Sequence, residues 1–231
     1  MRSIKVIAFD ADDTLWINEP YFQETEKKFC ELLEDYLPHH TLERELLKIE
    51  MQNLPLYGYG VKAFMLSMIE TALTVSNKTA SLDVIEKTIQ YGKELLAKPI
   101  ELLDGVEDVL FALKQHYRLV VATKGDLLDQ ERKLKNSGIA HYFHHIEIMS
   151  DKQEADYQKL IKHLDILPSE FAMIGNSLKS DVLPVLQIGG YGFHVPYHVT
   201  WAHEKVEHHV QHENFKELEN ISGVLAHLMP A

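Results

Sequence analysis

Near its amino end the chain carries a short apolar run that stops at two aspartates one residue apart. The run covers residues 4–9, Asp10 and Asp12 lie just beyond it, and Thr14 comes two residues later. Short runs rich in Ile, Val and Phe are typical of strands buried in a sheet. Open parallel sheets bind ligands just outside the carboxyl ends of their strands, and both carboxylates of an extended chain can face that crevice. Carboxylates this close repel each other, which predicts a divalent cation, a shared proton or both beside them.

Beyond Pro99 the sequence alternates between two patterns. A continuous apolar run predicts a further strand at 119–123, and short, mainly apolar segments predict strands at 146–149, 171–174 and 191–195. Apolar residues at helical spacing predict helices at 106–113, 127–137, 155–164 and 178–187. The last of these helices contains Pro184, which is expected to shorten or kink it. Because strands alternate with helices, the pattern indicates βαβ units and a parallel sheet, an α/β core of Rossmann-like type with five strands.

Residues 16–98 have a different pattern, in which apolar side chains recur at helical spacing and no strand signal interrupts. The chain is therefore predicted to consist of an α/β core, residues 1–15 and 99–231, with an all-helical insertion at 16–98. Residues 54–60 are rich in Gly and Tyr and are predicted to form a loop between helices, which either contacts the substrate or only connects. Trp16 is expected to pack where the chain enters the insertion, with stacking on a substrate as the alternative.

Composition excludes several classes of partner. The net charge of −12 over 231 residues argues against nucleic-acid or anionic-membrane binding, because phosphate backbones need clustered Lys and Arg. The single cysteine, Cys30, rules out an internal disulfide framework and fits a reducing compartment. No signal-peptide pattern and no apolar run of about 18 residues is seen. The expectation is a soluble cytoplasmic protein without nucleic-acid or membrane partners.

Polar residues follow four of the predicted strands, and the carboxyl ends of parallel strands lie at one edge of a sheet. These residues are Asp10, Asp12, Thr123, Lys124, Lys152, Asn176, Ser177 and Asp181. One carboxylate can attack phosphorus, and a second can act as general acid and then general base. Hydroxyl and ammonium groups can hold phosphoryl oxygens, and hard oxygen ligands suit Mg²⁺. The set therefore indicates phosphoryl transfer with Mg²⁺ as cofactor and a small phosphorylated metabolite as substrate.

In these four segments the chain resembles the haloacid dehalogenase-like hydrolase superfamily. The Asp-x-Asp-x-Thr motif is matched at Asp10, Asp12 and Thr14, and the strand-end hydroxyl at Thr123. The motif lysine is matched by Lys152, and the final acidic motif by residues 175–181. The resemblance covers the whole chain, and the helical insertion is similar to the family's cap. Within the superfamily the chain looks most like helical-capped phosphatases related to FMN phosphatases.

The resemblance implies a role for each matched residue. Asp10 corresponds to the nucleophile that forms an aspartyl-phosphate, and Asp12 to the acid and base. Thr123 and Lys152 correspond to the groups that hold the phosphoryl oxygens, and the neighbouring Lys124 faces either the phosphate or solvent. The implied Mg²⁺ ligands are Asp10, the backbone carbonyl of Asp12, and Asn176 or Asp181.

One position departs from the family pattern. The final motif usually begins with Asp, and Asn176 stands there. Its side-chain carbonyl can still coordinate a hard cation but brings no negative charge. The expectation is retained activity with weaker metal binding, in which Asp181 either coordinates directly or holds a bound water.

Histidines crowd the segment 194–212, which invites a metal interpretation. They are His194, His198, His203, His208, His209 and His212. His203 and His208 are five residues apart, whereas the helical zinc-protease motif requires four. A solvated surface run is therefore the preferred interpretation.

Three other functions remain open at this stage. A haloacid dehalogenase keeps the nucleophile but needs neither Asp12 as acid and base nor a metal, so Asp12 and Asp181 disfavour it. A phosphomutase differs only in the acceptor of the phosphoryl group. A binding or regulatory module on a degenerate hydrolase fold would find its support in Asn176.

Overall fold

The structure is a computed structural model that describes residues 4–204 and 209–229. Its strands are β1 (Val6–Phe9), β2 (Arg118–Lys124), β3 (His145–Met149), β4 (Phe171–Gly175), β5 (Tyr191–His194) and β6 (Phe215–Glu217). Its first helices are α1 (Glu19–Leu32), α2 (His39–Tyr57), α3 (Val61–Val75) and α4 (Leu82–Leu96). The later helices are α5 (Val106–Leu113), α6 (Leu127–Asn136), α7 (Glu154–His163), α8 (Leu183–Gln187) and α9 (Leu225–Leu228).

The described strands form one parallel sheet in the order β3-β2-β1-β4-β5-β6. The first and last motifs follow β1 and β4, and these two strands are hydrogen-bonded neighbours at the centre of the sheet. Since all pairs are parallel, the carboxyl ends of β1 to β4 share one edge of the sheet. The predicted parallel α/β fold is confirmed.

Successive side chains of β1 serve opposite faces of the sheet. Ile7 and Phe9 belong to a core that includes residues of α5 and α9, whereas Val6 and Ala8 belong to a core that includes residues of α7 and α8. Each strand residue therefore has an apolar partner layer, which explains why the strand sequences are continuous apolar runs rather than alternating ones. The sheet is fixed on both sides, and only its edges and ends are left for polar side chains.

The chain divides into two compact units. One comprises residues 1–19, 100–124 and 130–231 and contains the sheet; the other comprises residues 20–99 and 125–129. The second unit is helical and has its own apolar core, in which Phe29, Leu46 and Met68 are among the buried side chains. No helix among the described residues combines the length and the hydropathy needed to cross a membrane.

Predicted and observed element bounds differ by one or two residues for most strands and helices of the core, but two predictions were wrong. A sixth strand, β6, was missed, because three residues with two exposed side chains give no apolar pattern. The predicted helix at 178–187 is helical over its length, but it consists of a π-helical turn (Leu178–Val182) followed directly by α8, in keeping with the disturbance expected at Pro184.

The second correction concerns the Gly- and Tyr-rich stretch. Residues 54–57 are not a loop but the last turn of α2, which continues through Pro55 to Tyr57 and is capped by Gly58. Gly58 has a φ of 72° and donates its backbone N–H to the carbonyl of Leu54, a helix ending that favours glycine. The connection to α3 is therefore only residues 58–60, and the Tyr57 hydroxyl contacts Glu70 at 3.0 Å.

Candidate active site

The innermost part of the site is a buried lysine between two carboxylates. Lys152, which follows β3, donates from Nζ to Asp10 Oδ1 and, at 2.6 Å, to Asp181 Oδ1. Asp181 Oδ2 accepts the backbone N–H of Ser177 at 2.9 Å. Lys152 and Asp181 are each 1% exposed, so this charge network is shielded from water. The structure thus joins residues from the ends of β1, β3 and β4, as the sequence predicted.

The charges of this network are unbalanced. Burial and then the charge of Asp181 raise the pKa of Asp10, although Lys152 acts in the opposite direction. Burial alone would lower the pKa of the Lys152 ammonium, but the charges of Asp10 and Asp181 outweigh it and raise that pKa. Two carboxylates therefore compete for one buried cation. A further positive charge at Asp10 would favour its ionised form.

Asp12 lies in a second, more open network. Its Oδ1 accepts hydrogen bonds from Trp16 Nε1 at 2.7 Å and from Lys133 Nζ at 2.9 Å. Its Oδ2 accepts one from Gln130 Nε2 at 3.1 Å, and that amide also lies 2.7 Å from Thr123 Oγ1. The Asp12 side chain remains 24% exposed. These contacts hold one carboxylate in a fixed position with access to water.

Three residues of the Asp12 network were not predicted to belong to the site, namely Gln130, Lys133 and Asn18. Gln130 and Lys133 are one turn apart on α6, which begins just after the end of β2, so both reach the same sheet edge. Lys133 is held in turn by Asn18 Oδ1 at 2.7 Å. Trp16 is fully buried, as the packing interpretation expected, but its ring N–H also positions Asp12. The sequence signal that could have identified these residues is a polar helix that directly follows a strand ending in the site.

The final motif supplies one oxygen with little protein contact. Asn176 Oδ1 accepts only a long bond, 3.3 Å, from the hydroxyl of Thr14 among the described residues. The Asn176 backbone carbonyl lies 3.0 Å from Nε2 of His194, at the end of β5. Gly175 precedes it and leaves no room for a side chain, because a Cβ there would lie 2.2 Å from Asp181 Oδ2. Glycine at 175 is thus required for the position of Asp181.

Lys124 is not directed at the buried network. Its ammonium contacts Glu204 Oε1 at 2.6 Å and Ser180 Oγ at 2.9 Å. Burial alone would raise the pKa of Glu204, but Lys124 and the hydroxyls of Ser177 and Ser180 lower it to about 2. The phosphate contact of Lys124 stays a prediction, and in this structure Lys124 forms an ion pair that ties the end of β2 to the final motif.

The histidine-rich segment is not uniformly solvated. His194 is 9% exposed and contacts the final motif, so the surface interpretation was wrong for it. His203 is half-buried, with Nε2 3.1 Å from Nζ of Lys179. His208 lies outside the described residues.

Asp10, Asn176 and the Asp12 backbone fit a hard divalent cation. Asp10 Oδ2 and the Asp12 carbonyl oxygen receive no hydrogen bond from the described residues, and Asn176 Oδ1 receives only the long one. All three donors are oxygens, the ligand type that Mg²⁺ prefers. Both carboxylate oxygens of Asp181 are already engaged, which favours an indirect contribution from that residue.

Comparison with known proteins agrees with this geometry. A family model described as haloacid dehalogenase-like hydrolase matches residues 4–189. No curated protein sequence matches the chain significantly. A haloacid dehalogenase-like family hydrolase from Xanthomonas campestris has 36% identity and a TM-score of 0.88, and the match covers 97% of this chain and 90% of that one.

More distant solved structures share the fold. A predicted phosphoglycolate phosphatase from Haemophilus somnus 129PT has 18% identity and a TM-score of 0.65, with 98% of each chain covered. A 2-haloacid dehalogenase from Pseudomonas syringae pv. Tomato DC3000 has 18% identity and a TM-score of 0.63, with 96% of this chain and 97% of that chain covered. From the family model and the Xanthomonas structure together, the chain belongs to the haloacid dehalogenase-like hydrolase family.

Proposed function

We propose that this hydrolase is a Mg²⁺-dependent phosphatase that cleaves a small phosphomonoester through an aspartyl-phosphate on Asp10. The observation that carries the proposal is the second carboxylate. Asp12 is fixed by Trp16, Lys133 and Gln130, and Gln130 also contacts Thr123. A dehalogenase has no need for an acid and base at this position, whereas phosphate-ester cleavage requires a proton for the leaving oxygen.

In the first half-reaction Asp10 is the nucleophile. Lys152 holds the Asp10 carboxylate by a hydrogen bond to Oδ1, and this carboxylate attacks phosphorus. The bond from phosphorus to the leaving oxygen breaks as the bond to Asp10 forms, and protonated Asp12 delivers its proton to that oxygen. Thr123 and Lys152 donate hydrogen bonds to the phosphoryl oxygens, where negative charge accumulates.

In the second half-reaction a water attacks the same phosphorus atom and Asp10 leaves as a free carboxylate. Asp12, now ionised, accepts the proton of that water, so the acid and base are restored for the next cycle. Its three hydrogen-bond donors hold the carboxylate in one position for this step. The released phosphate contains the oxygen atom of that water.

The metal would be held by Asp10, the carbonyl of Asp12 and Asn176, with Asp181 supporting the site. When bound, Mg²⁺ supplies positive charge that polarises the phosphoryl group and offsets the repulsion between the substrate and the buried carboxylates. Asn176 brings no charge, so we propose weaker metal binding than an aspartate would give.

The helical unit keeps its proposed role as a cap that selects the leaving group. This rests on its place in the chain, since residues 20–99 separate the first motif from the second. The burial of Asp10 supports a small phosphomonoester as the proposed substrate, because a large one would not reach this carboxylate.

The test is hydrolysis of an aryl phosphate, followed by a panel of FMN, sugar phosphates and nucleoside monophosphates. We expect phosphate release that requires Mg²⁺ and is abolished by a chelator. The matched assay is halide release from a 2-chloro carboxylic acid by the same preparation. Metal-independent halide release without phosphatase activity would identify a dehalogenase and overturn the proposal.

A further inference from the structure

A second group of metal-binding side chains lies on the edge strand β3, at the end remote from the candidate active site. His145 begins β3, Glu147 is two residues further on, and His163 is the last residue of α7. Lys152 follows the opposite end of the strand. At about 3.3 Å per residue, His145 is roughly 13 Å from Met149 along β3, so the two groups are separate.

The sheet register places His145 and Glu147 on one face. They pair with Val120 and Ala122 of β2, whose side chains belong to the core that α7 also joins. Side chains of registered neighbours point to the same side of a sheet, and residues two apart on a strand do so as well. Both polar side chains therefore face the layer that ends in His163.

The three side chains are in contact. Nε2 of His145 lies 2.8 Å from Glu147 Oε2, and the rings of His145 and His163 are 4.9 Å apart between centroids. One ligand atom from each residue lies within 4.8 Å of the other two. Within the described part of the chain, this is the one group of three such residues that meets this spacing.

The distances are close to those of a filled site. Ligand atoms around a tetrahedral zinc with bonds of about 2.0–2.1 Å are about 3.3 Å apart. The two ligand atoms that are furthest apart would therefore have to approach each other by at most about 1.5 Å. Rotation of an exposed side chain can supply this movement. His163 is exposed, while His145 and Glu147 are half-buried. The backbone can stay in place while the exposed histidine adjusts.

We propose that His145, Glu147 and His163 bind a divalent transition-metal cation of the zinc class, with water as the fourth ligand. Two imidazole nitrogens and one carboxylate suit zinc and its neighbours in the first transition series, whereas Mg²⁺ prefers oxygen alone. The cation replaces the hydrogen bond between His145 and Glu147 with two metal bonds. The two histidines bind the cation in their neutral form and the glutamate binds it in its ionised form.

The bound cation links β3 to the carboxyl end of α7. These elements are otherwise joined by residues 150–153, the segment that carries Lys152. The three ligands come from two elements that meet only in the folded chain, so the metal stabilises the native state by mass action. The site thus adds a cross-link at the exposed edge of the sheet.

The experiment is a titration of the full, untagged protein with Zn²⁺, with excess Mg²⁺ present to occupy the oxygen site. Cobalt serves as a second probe, because tetrahedral Co²⁺ absorbs visible light and reports the ligand geometry directly. The informative variant is His163→Ala, since an exposed side chain at a helix end can be removed without loss of the fold. The matched control is His116→Ala, which removes another exposed histidine outside the group.

We expect His163→Ala to lower the affinity of the tightest Zn²⁺ site at least tenfold and to abolish the tetrahedral Co²⁺ spectrum. Glu147→Gln, which preserves size and removes the charge, lowers affinity as well, and His116→Ala matches the wild type. Zn²⁺ also raises the melting temperature of the wild type but not of His163→Ala. An equal Zn²⁺ affinity and Co²⁺ spectrum in wild type and His163→Ala would overturn the proposal, and the group would then be an ordinary ion pair.

Discussion

Asp10 and Asp12 are one residue apart in the chain, yet the structure surrounds them differently. Asp10 is buried and shares a single lysine with a second buried carboxylate. Asp12 is partly exposed and has an ammonium, an amide and an indole N–H of its own. The first arrangement fixes the proposed nucleophile but leaves two carboxylates with one cation, and the second leaves the proposed acid and base in reach of water. Stability and catalysis should therefore respond differently to changes in the two networks.

The largest expected effect is the loss of activity in Asp10→Asn. Removal of the nucleophile lowers phosphatase turnover by on the order of 10⁴-fold or more. The unfolding free energy is not lowered, because Lys152 then faces one buried carboxylate instead of two. Steady-state kinetics and urea unfolding give both quantities. Activity that survives the substitution would remove Asp10 from the mechanism.

Lys152→Met is expected to cause the largest loss of stability. It leaves Asp10 and Asp181 buried without a cation, which costs about 3–5 kcal/mol. Lys159→Met is the matched control: it removes an exposed α7 lysine that pairs with Asp156 at 3.1 Å, a contact worth about 1 kcal/mol or less. Urea unfolding without added metal compares the two variants. Equal losses of unfolding free energy in the two variants would mean that the buried carboxylates do not need the charge of Lys152.

Changes in the Asp12 network should affect turnover more than they affect the unfolding free energy. Lys133→Met removes a positioning contact and lowers turnover by up to about 100-fold. It changes the unfolding free energy by about 1 kcal/mol or less, since the ion pair is partly exposed. Lys135→Met, an exposed position on the same helix, is the control. Should Lys133→Met keep full turnover, Asp12 would not depend on this contact.

Asp12 could be identified as a candidate site residue from the sequence, whereas Lys133 could not. Asp10, Asp12, Lys152 and Asp181 were found because each is close to the end of a predicted strand, and parallel strands bring their ends together. Lys133 and Gln130 were missed because their contacts depend on which face α6 turns toward the sheet edge, and the helix has little apolar pattern to indicate it.

The same contrast holds for the fold. The central strands were predicted because burial on both faces makes their sequences continuously apolar. The edge strand β6 was missed because it is short and largely exposed. In α2, Pro55 and the following glycines were interpreted as a break, but a proline near the end of a long helix disrupts little of its hydrogen bonding.

A further prediction lies in the helical unit and concerns the pH dependence of stability. Burial and then the charge of Glu26 raise the pKa of Glu50 from 4.5 to about 8. A raised pKa in the folded state favours folding with the carboxyl protonated, so this stability is complete below pH 4.5 and is lost as pH rises through about 8. Glu50→Gln should therefore gain stability over the wild type between these values.

Urea unfolding at pH 5 and pH 8 measures that difference, with Glu34→Gln as the exposed control in the same unit. We expect the advantage of Glu50→Gln to be larger at pH 8. An advantage that does not change with pH would show that Glu50 ionises as freely in the folded chain as in the unfolded one.

The most direct test of the mechanism is to map the phosphoryl group on the enzyme. In Asp12→Asn the base of the second half-reaction is missing, so a phosphorylated protein should accumulate when a labelled aryl phosphate is added with Mg²⁺ and quenched in acid. We predict a hydroxylamine-sensitive acyl phosphate on the peptide that contains Asp10, and none when Asp10→Asn is added to the same chain. Phosphate release with no label on Asp10, or with the label on another residue, would contradict the proposed mechanism.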